Sequence, residues 1–374
     1  MLDIALFSPL GRGGMSGHGG ITPVVSALGA ALCGFGLEVA LVTFAPKDPR
    51  ELVSGLDPRL GVYNLGHGGR RRHLGLLRHF LRRERPRALL AAGHRANLLA
   101  AHCAGVGMPD GPRTRILLGV HNAPSPALAE LGPLRRWARL RAMRRWYPRS
   151  DGVVCVSAGV AADLGDLVPL LAGRLRVIHN PVVMAEPDGP PAHPWLSDEG
   201  PPVILGAGRL TRQKAFTTLI RAFARLETRP APRLVIIGEG SERDALLHLA
   251  AELGVAERVA LPGFVANPRA QMARARLFAL SSDWEGFGNV LVEAMSVGTP
   301  VVATDCPSGP REILRDGALG SLVPPGDPAA LAAAIDAVLR APPVAAEALR
   351  QRAADFAPTR VAERYRALLV GDAT

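Results

Sequence analysis

Residues 277–304 read LFALSSDWEGFGNVLVEAMSVGTPVVAT. The run Leu277–Leu280 is wholly apolar, as in a strand buried on both faces. A polar loop with glycines at 286 and 288 follows. Residues Asn289–Val297 have helical spacing. Asn289 serves as the helix cap, Gly298 as the stop and Pro300 as a barrier to continuation. Pro300–Ala303 is a second apolar strand. Strand, loop, helix and strand in succession form a crossover unit, and such units build parallel sheets covered on both faces.

The same alternation extends outward. Upstream are strands Val203–Leu205, Leu234–Ile237 and Val259–Leu261, with helices Thr217–Leu226 and Asp244–Leu253 between them. Residues 181–202 hold prolines at 181, 187, 190, 191, 194, 201 and 202, which is linker composition. Before them, Ile4–Pro9, Val39–Phe44, Ala88–Ala91, Ile116–Val120, Val153–Val156 and Arg176–Ile178 are strand candidates. Thr22-Pro23 opens a helix, with Thr22 as cap. The expected fold class is α/β, with two doubly wound, Rossmann-like domains. The boundaries are 1–180 for the first domain, 181–202 for the linker and 203–355 for the second. Residues 356–374 form a C-terminal helix that crosses back to the first domain. Open α/β sheets bind ligands at the carboxyl ends of their strands, so a cleft between the two domains is the expected site.

Bulk composition agrees with two globular domains. The chain has 374 residues, 48% apolar and 21% charged. The opening MLDIALFSPL has no basic segment and an early Asp3, which argues against a secretory signal. The most apolar region, Val24 to Phe44, is broken by Gly29, Gly34, Gly36 and Glu38, so it reads as a helix and a strand and not as a membrane span. Cys33, Cys103, Cys155 and Cys306 form no CxxC pair and read as buried free thiols. Net charge is +11, and residues 1–180 carry 24 Lys and Arg against 11 Asp and Glu. The remaining 20 basic against 22 acidic residues leave the second half slightly negative. A basic first half favours phosphates, nucleic acid or an anionic membrane as partner.

Four groups of residues carry the chemistry. Glu285 and Glu293 stand eight apart, one on the loop before a helix and one in its early turns. Gly286 and Gly288 let backbone N–H groups approach a ligand, and a helix N-terminus favours anions. A capped surface helix with acidic residues near its start is the plainer alternative. Arg209 and Lys214 follow strand Val203–Leu205. Fixed cations there stabilise charge developing on a leaving phosphate, although a solvated basic turn has the same composition. Lys214 is one of only two lysines, with Lys47, in an arginine-rich chain. The loop Gly11–Gly20, with Gly13, Gly14, Gly19 and Gly20, suits a tight backbone path round a phosphate. It lacks the pattern of a dinucleotide fingerprint. His121 follows strand Ile116–Val120 beside Asn122, and reads either as a cleft residue or as a capping or core histidine. His18, His94, His102 and His179 have less support.

The segment Ser281–Thr304 resembles the E-x7-E region of the large family-4 retaining glycosyltransferases, the glycosyl transferases group 1, which have the two-domain GT-B fold. Gly206-Ala-Gly-Arg209-Leu-Thr-Arg-Gln-Lys214 is similar to that family's GRL and K-G segment. Ile236-Ile-Gly-Glu-Gly240 and Leu261-Pro-Gly-Phe264 are similar to its GEG and L-x-G-x turns. One departure is Ala215, where the family usually has Gly after the lysine. The resemblance implies that Glu285 bonds donor-sugar hydroxyls and Glu293 the ribose. It implies that the backbone of Phe287, Gly288 and Asn289 holds the sugar near the diphosphate. It places the glycine-rich loop near the donor phosphates and acceptor, and His121 against the donor sugar from the first domain. Catalytic candidates are thus Glu285, His121, Arg209 and Lys214. Substrate-binding candidates are Gly13, Gly14, Gly19, Gly20, Phe287, Gly288, Asn289 and Glu293. No Asp-x-Asp pair is present, so no metal and no cofactor is expected, and charge neutralisation falls to Arg209, Lys214 and backbone amides.

Two basic stretches remain. Arg70–Arg95 holds nine arginines against one acidic residue, and Arg135–Arg149 holds seven with none. In the second, Leu134, Trp137, Leu140, Met143 and Trp146 recur every three residues, which reads as one apolar stripe beside the arginines. Such a stripe either faces a core or lies on an anionic membrane. No nucleic-acid module is recognisable, so nucleic acid is not an expected partner.

The expected activity is transfer, with retention, of a hexose or N-acetylhexosamine from a nucleotide-diphosphate sugar, with UDP first among the nucleotides. The expected acceptor is a lipid-linked sugar or glycan in cell-envelope synthesis. Segment Asp305–Ile313 resembles members acting on such acceptors. The expected location is cytoplasmic and peripheral on the inner face of the cell membrane, with an anionic membrane surface as a further partner. A nucleotide-sugar epimerase on the same fold, or a non-catalytic nucleotide-sugar or nucleic-acid binding protein, are the alternatives.

Overall fold

Strands that are apolar throughout form the centre of two parallel sheets. The computed structural model describes residues 2–8, 21–45, 56–66, 68–105, 113–184, 186–197, 200–342 and 344–371. The chain divides into two units, residues 1–182 with 357–374 and residues 183–356. In the first unit, β1 (Ile4–Phe7), β2 (Val39–Thr43), β3 (Gly61–Asn64), β4 (Ala88–Ala92), β5 (Arg115–Val120), β6 (Gly152–Cys155) and β7 (Leu175–Val177) lie in the order β3-β2-β1-β4-β5-β6-β7. In the second, β8 (Val203–Ala207), β9 (Arg233–Ile237), β10 (Val259–Gly263), β11 (Leu277–Leu280), β12 (Val301–Thr304) and β13 (Ser321–Val323) lie in the order β10-β9-β8-β11-β12-β13. All pairings are parallel.

Each sheet grows one way from its first strand and then restarts on that strand's other side. The reversal falls between β1 and β4 in one sheet and between β8 and β11 in the other. Helices cover both faces, which is why β1, β2, β4, β8, β11 and β12 are buried along their whole lengths without polar alternation. Truncating a core side chain such as Ile236, which is fully buried, costs about 2–5 kcal/mol.

Residues 183–184 and 186–192, inside the proline-rich stretch, are held on the second unit by side chains of helix Pro268–Met272 and its flanks. Gln271 bonds both the Ala192 N–H, at 2.7 Å, and the Pro190 carbonyl, at 3.0 Å. Asn267 and Arg274 donate to the Asp188 and Gly189 carbonyls, and Arg269 to that of Val183. A chain without its own ladder thereby satisfies its backbone through side chains. The C-terminal helix Pro358–Val370 belongs to the first unit. It packs on helix Ile21–Gly34 and buries Val361, Ala362, Tyr365 and Leu369 in that unit's core.

Three local expectations are corrected. Helix Ile21–Gly34 contains Thr22, which therefore is not its cap. Asn289 is the first residue of helix Asn289–Ser296, and the cap is Gly288 at φ 101°, a left-handed position that favours glycine. On helix Pro133–Trp146, Leu134 is 78% and Trp137 60% exposed, whereas Met143 is buried. The apolar residues therefore do not form one stripe, because a step of three residues advances 300° round a helix and five such positions spiral from one side to the other.

All four cysteines are buried free thiols. Burial pushes Cys103 up to about 11 and Cys155 to about 12. Among the described residues, no helix is long and apolar enough to cross a membrane.

Candidate active site

The carboxyl ends of β8 and β11, on either side of the second sheet's reversal, carry the residues that come together. The loop after β8 closes in a short 3-10 turn, Arg212–Lys214, and the helix Phe216–Phe223 follows. Lys214 Nζ lies 2.6 Å from Glu285 Oε1, and the two side chains are 14% and 7% exposed. Ser282 Oγ donates to the same Glu285 oxygen at 2.6 Å. Thr304 Oγ1, at the end of β12, donates to the Ser282 carbonyl at 2.6 Å. A buried chain of hydrogen bonds thus joins the ends of β12, β11 and β8.

Backbone contacts lock the two loops as well. Ser281 Oγ donates to the Lys214 carbonyl at 2.9 Å, and Gln213 Nε2 to that of Trp284 at 3.0 Å. The Asp283 N–H donates to the Gln213 carbonyl at 2.9 Å. Ala215 takes the left-handed conformation, φ 45° and ψ 43°, between the turn and the helix. The segment 238–240 packs beneath this loop. A Cβ at Gly238 would stand 1.9 Å from the Gly208 carbonyl oxygen, so only glycine allows that approach.

Glu293 lies near the pair. Burial pushes its carboxyl above the ordinary value, while Arg269 and then Lys214 draw it back. Among the described residues, no hydrogen bond or ion pair closes on the Glu293 carboxylate. Burial, and next the Glu285 carboxylate, push the Cys306 thiol up to about 12, which places an inert thiol beside the same pair. The Phe287 side chain is buried edge-on against Phe356, ring centroids 5.1 Å apart. That side chain is therefore part of the packing and not of an accessible surface. Gly309 fits against that turn, where a Cβ would meet the Phe287 carbonyl oxygen at 1.8 Å.

The structure thus brings together Lys214, Glu285 and Glu293, with Phe287, Gly288 and Asn289 on the connecting turn. Arg209 stands on the same loop, at the end of β8, with an exposed side chain that makes no hydrogen bond or ion pair among the described residues. A buried cation–carboxylate pair beside a second, partnerless carboxylate can neutralise an anionic group and accept bonds from hydroxyls. Ser281, Ser282, Gln213 and Thr304 were not singled out from the sequence. For the three hydroxyl residues the signal was present: they stand at the carboxyl ends of two apolar strands, where an open sheet builds its site, whereas Gln213 lies in a short turn with no such mark.

In the first unit, His121 follows β5. Burial lowers its pKa to about 4, partly offset by a hydrogen bond with Asn180. Among the described residues its Nδ1 is buried with no hydrogen-bond partner, and the lowered pKa keeps the ring neutral. His94 bonds Tyr147 OH at 3.1 Å, and His102 bonds the Leu98 carbonyl and stacks on Trp146, so both are structural. Gly13, Gly14, Gly19, Gly20 and His18 lie outside the described residues. Among the described residues, no three His, Cys, Asp or Glu side chains gather as a metal-binding group.

Comparison with known proteins agrees with this architecture. The family described as "Glycosyltransferase Family 4" matches residues 18–186, and that described as "Glycosyl transferases group 1" matches residues 193–357. The chain is 36% identical over 234 residues to the lipopolysaccharide core biosynthesis glycosyltransferase LpsE of Rhizobium meliloti, covering 60% of this chain and 61% of LpsE. It is 38% identical over 177 residues to a Campylobacter jejuni N-acetylgalactosaminyltransferase acting on a diphospho-undecaprenol-linked sugar, covering 47% of each. The matches thus span from about half to three-fifths of those relatives' lengths. Among solved structures, HepE of Anabaena in complex with UDP superposes with a TM-score of 0.78 at 20% identity, over 99% of this chain and 100% of that one. The sucrose-phosphate synthase of Thermosynechococcus elongatus superposes with a TM-score of 0.82 at 22% identity, over the whole of both chains. Those two likenesses carry the fold, which is GT-B. With its two halves matched in turn by the two family descriptions, the chain belongs to the family-4, group 1 glycosyltransferases.

Proposed function

We propose that this protein transfers a hexose or N-acetylhexosamine from a nucleotide-diphosphate sugar, UDP first, to a lipid-linked sugar or growing glycan on the cytoplasmic side of a cell envelope. The observation that carries the reading is the buried Lys214–Glu285 pair at the reversal point of the second sheet. LpsE, the Campylobacter enzyme and the HepE–UDP complex support it as to acceptor class and nucleotide.

Lys214 and Arg209 neutralise charge on the departing diphosphate, a contribution worth about 10²–10³ in kcat per donor. Glu285, already oriented by Lys214 and Ser282, accepts from the donor-sugar hydroxyls, and Glu293 from the ribose. His121, neutral at physiological pH, offers the transferred sugar a hydrogen-bonding nitrogen and not a charge. These cations make a metal ion unnecessary. With no carboxylate assigned as nucleophile, the leaving phosphate itself takes the acceptor's proton as the new bond forms on the same face, and the anomeric configuration is kept.

Incubation with a UDP-hexose and a lipid-linked acceptor, followed by NMR of the product, tests this. A retained anomeric configuration supports it. An inverted product contradicts the mechanism, and an epimerised donor without acceptor contradicts the transferase reading itself.

A further inference from the structure

Helix Pro310–Ile313 is a single turn of four residues. A helix this short leaves its final carbonyls to be satisfied from outside. Arg352, on helix Ala346–Ala354, satisfies two of them. Its Nη2 donates to the Glu312 carbonyl at 2.7 Å and its Nε to the Ile313 carbonyl at 3.0 Å. The remaining nitrogen, Nη1, pairs with Asp355 at 2.9 Å, and the guanidinium lies over the Phe356 ring, 4.6 Å from its centroid. The Arg352 side chain is 15% exposed. Only a planar fork of donors caps two carbonyls while resting its face on a ring; an ammonium offers a single point.

From Arg352, two routes of contact reach the turn Gly286–Asn289. Along the first, Ile313 is fully buried, and its Cδ1 lies 3.6 Å from where a Cβ of Gly288 would stand. The Ile313 N–H donates to the carbonyl of Gly309, the residue that fits against the Phe287 carbonyl with no space for a side chain. Along the second, Phe356 meets the Phe287 ring edge-on, centroids 5.1 Å apart. Helix Ala346–Ala354 also packs along helix Asn289–Ser296, which that turn opens. All of these groups belong to the second unit.

We propose that Arg352 is a positioning residue for the donor, fixing the turn Gly286–Asn289 through Ile313 and Phe356 without touching substrate. Backbone N–H groups stabilise a diphosphate only if they are held in place before it arrives. The inference rests on the transferase reading, in which that turn holds the sugar near the diphosphate. A cap that served stability alone would behave differently. Incomplete folding lowers the amount of active enzyme, and with it the apparent kcat, at an unchanged donor KM. A displaced turn raises the donor KM itself.

The test uses the full chain and whichever of UDP-, GDP- and ADP-glucose raises the wild-type Tm. Arg352→Gln, assayed well below its own Tm, is expected to raise donor KM and Kd about tenfold or more and to leave acceptor KM unchanged. Arg352→Lys keeps the charge and one donor, so its donor Kd should fall between the two. Arg350→Ala, which removes only the exposed pair with Glu347 on the same helix, should keep the wild-type Kd. Hydrogen exchange on the wild type needs no variant. Segments that open together are protected together, so donor should slow exchange in residues 309–316 as well as in 286–291. A folded Arg352→Gln with the wild-type donor KM, or protection confined to 286–291, would overturn the proposal. A wild type that binds none of the three donors removes the transferase reading. A wild type that binds one, with Arg352→Gln binding it equally well, removes only the role of Arg352.

Discussion

Lys214 Nζ and Glu285 Oε1, 71 residues apart in sequence, meet at 2.6 Å across the two strands that flank the reversal of the second sheet. With side chains at 14% and 7% exposure, neither charge has bulk water to fall back on. Removing one partner strands the other, which costs about 3–5 kcal/mol for a buried pair. Lys214→Ala is therefore expected to lower the melting temperature as well as activity. Glu285→Gln keeps the shape and the Ser282 bond but loses the ion pair. The double variant should be more stable than the sum of the single losses predicts. Denaturant unfolding of the two singles and the double measures that coupling, and strict additivity would contradict a direct pair.

Burial makes the Glu293 carboxylate costly to ionise in the folded protein. Its carboxyl is raised by burial, so the folded state resists its ionisation. Its contribution to stability is present below the ordinary carboxylate value and is lost as pH rises through the raised folded value. At neutral pH, Glu293→Gln should stabilise the protein by about 0.5–2 kcal/mol, in the range of other site-relieving changes. It should also weaken donor binding. Urea midpoints at neutral pH together with donor titrations check both halves. A destabilised variant with full donor affinity would remove Glu293 from the site.

Ala215 sits in left-handed backbone with φ 45°, where a Cβ is strained by about 1–2 kcal/mol. Ala215→Gly relieves that strain but frees the unfolded chain by about 0.4–1 kcal/mol. The expected net gain is about 0.5–1 kcal/mol, with Lys214 undisturbed. Thermal melting measures it, and a loss of stability would mean that the turn is not strained at this position.

Much of this was legible in the amino-acid order because the central strands are apolar from end to end. Runs such as Ile236-Ile237 and Val301-Val302 admit little else between helical segments. The edge strands β3 and β13 were missed for the opposite reason. Each has one neighbour, so Gly61–Asn64 and Ser321–Val323 are short and only partly buried, and they carry little apolar signal. Glu285 and Lys214 could be singled out by residue type and spacing, but not their contact, which depends on the register of β8 beside β11. The three-residue spacing on Pro133–Trp146 misled because a linear recurrence is not a helical face.

His121 supplies a pH dependence of known sign. Its pKa falls from an ordinary 6.5 to about 4 in the folded protein, chiefly through burial. The associated stability is fully present above the unfolded value of 6.5 and is lost as pH falls from there toward 4. The gap corresponds to about 3 kcal/mol between the two ends of that window. His121→Gln does not titrate, so the difference in unfolding free energy between wild type and variant should shrink by that order as pH drops from 7 to 4. A constant difference across the range would mean that His121 is freely hydrated.

The central claim is that the second unit binds a nucleotide-diphosphate sugar through Lys214 and Glu285 without a metal. The most direct measurement is the melting temperature in EDTA with UDP-, GDP- and ADP-sugars, on wild type and on Lys214→Ala. A donor at a hundredfold excess over its Kd adds about 2.7 kcal/mol to the native state. The account predicts a rise with one nucleotide class, UDP first, that persists in EDTA and is lost in Lys214→Ala. No rise with any of the three, or an equal rise in the variant, would contradict it.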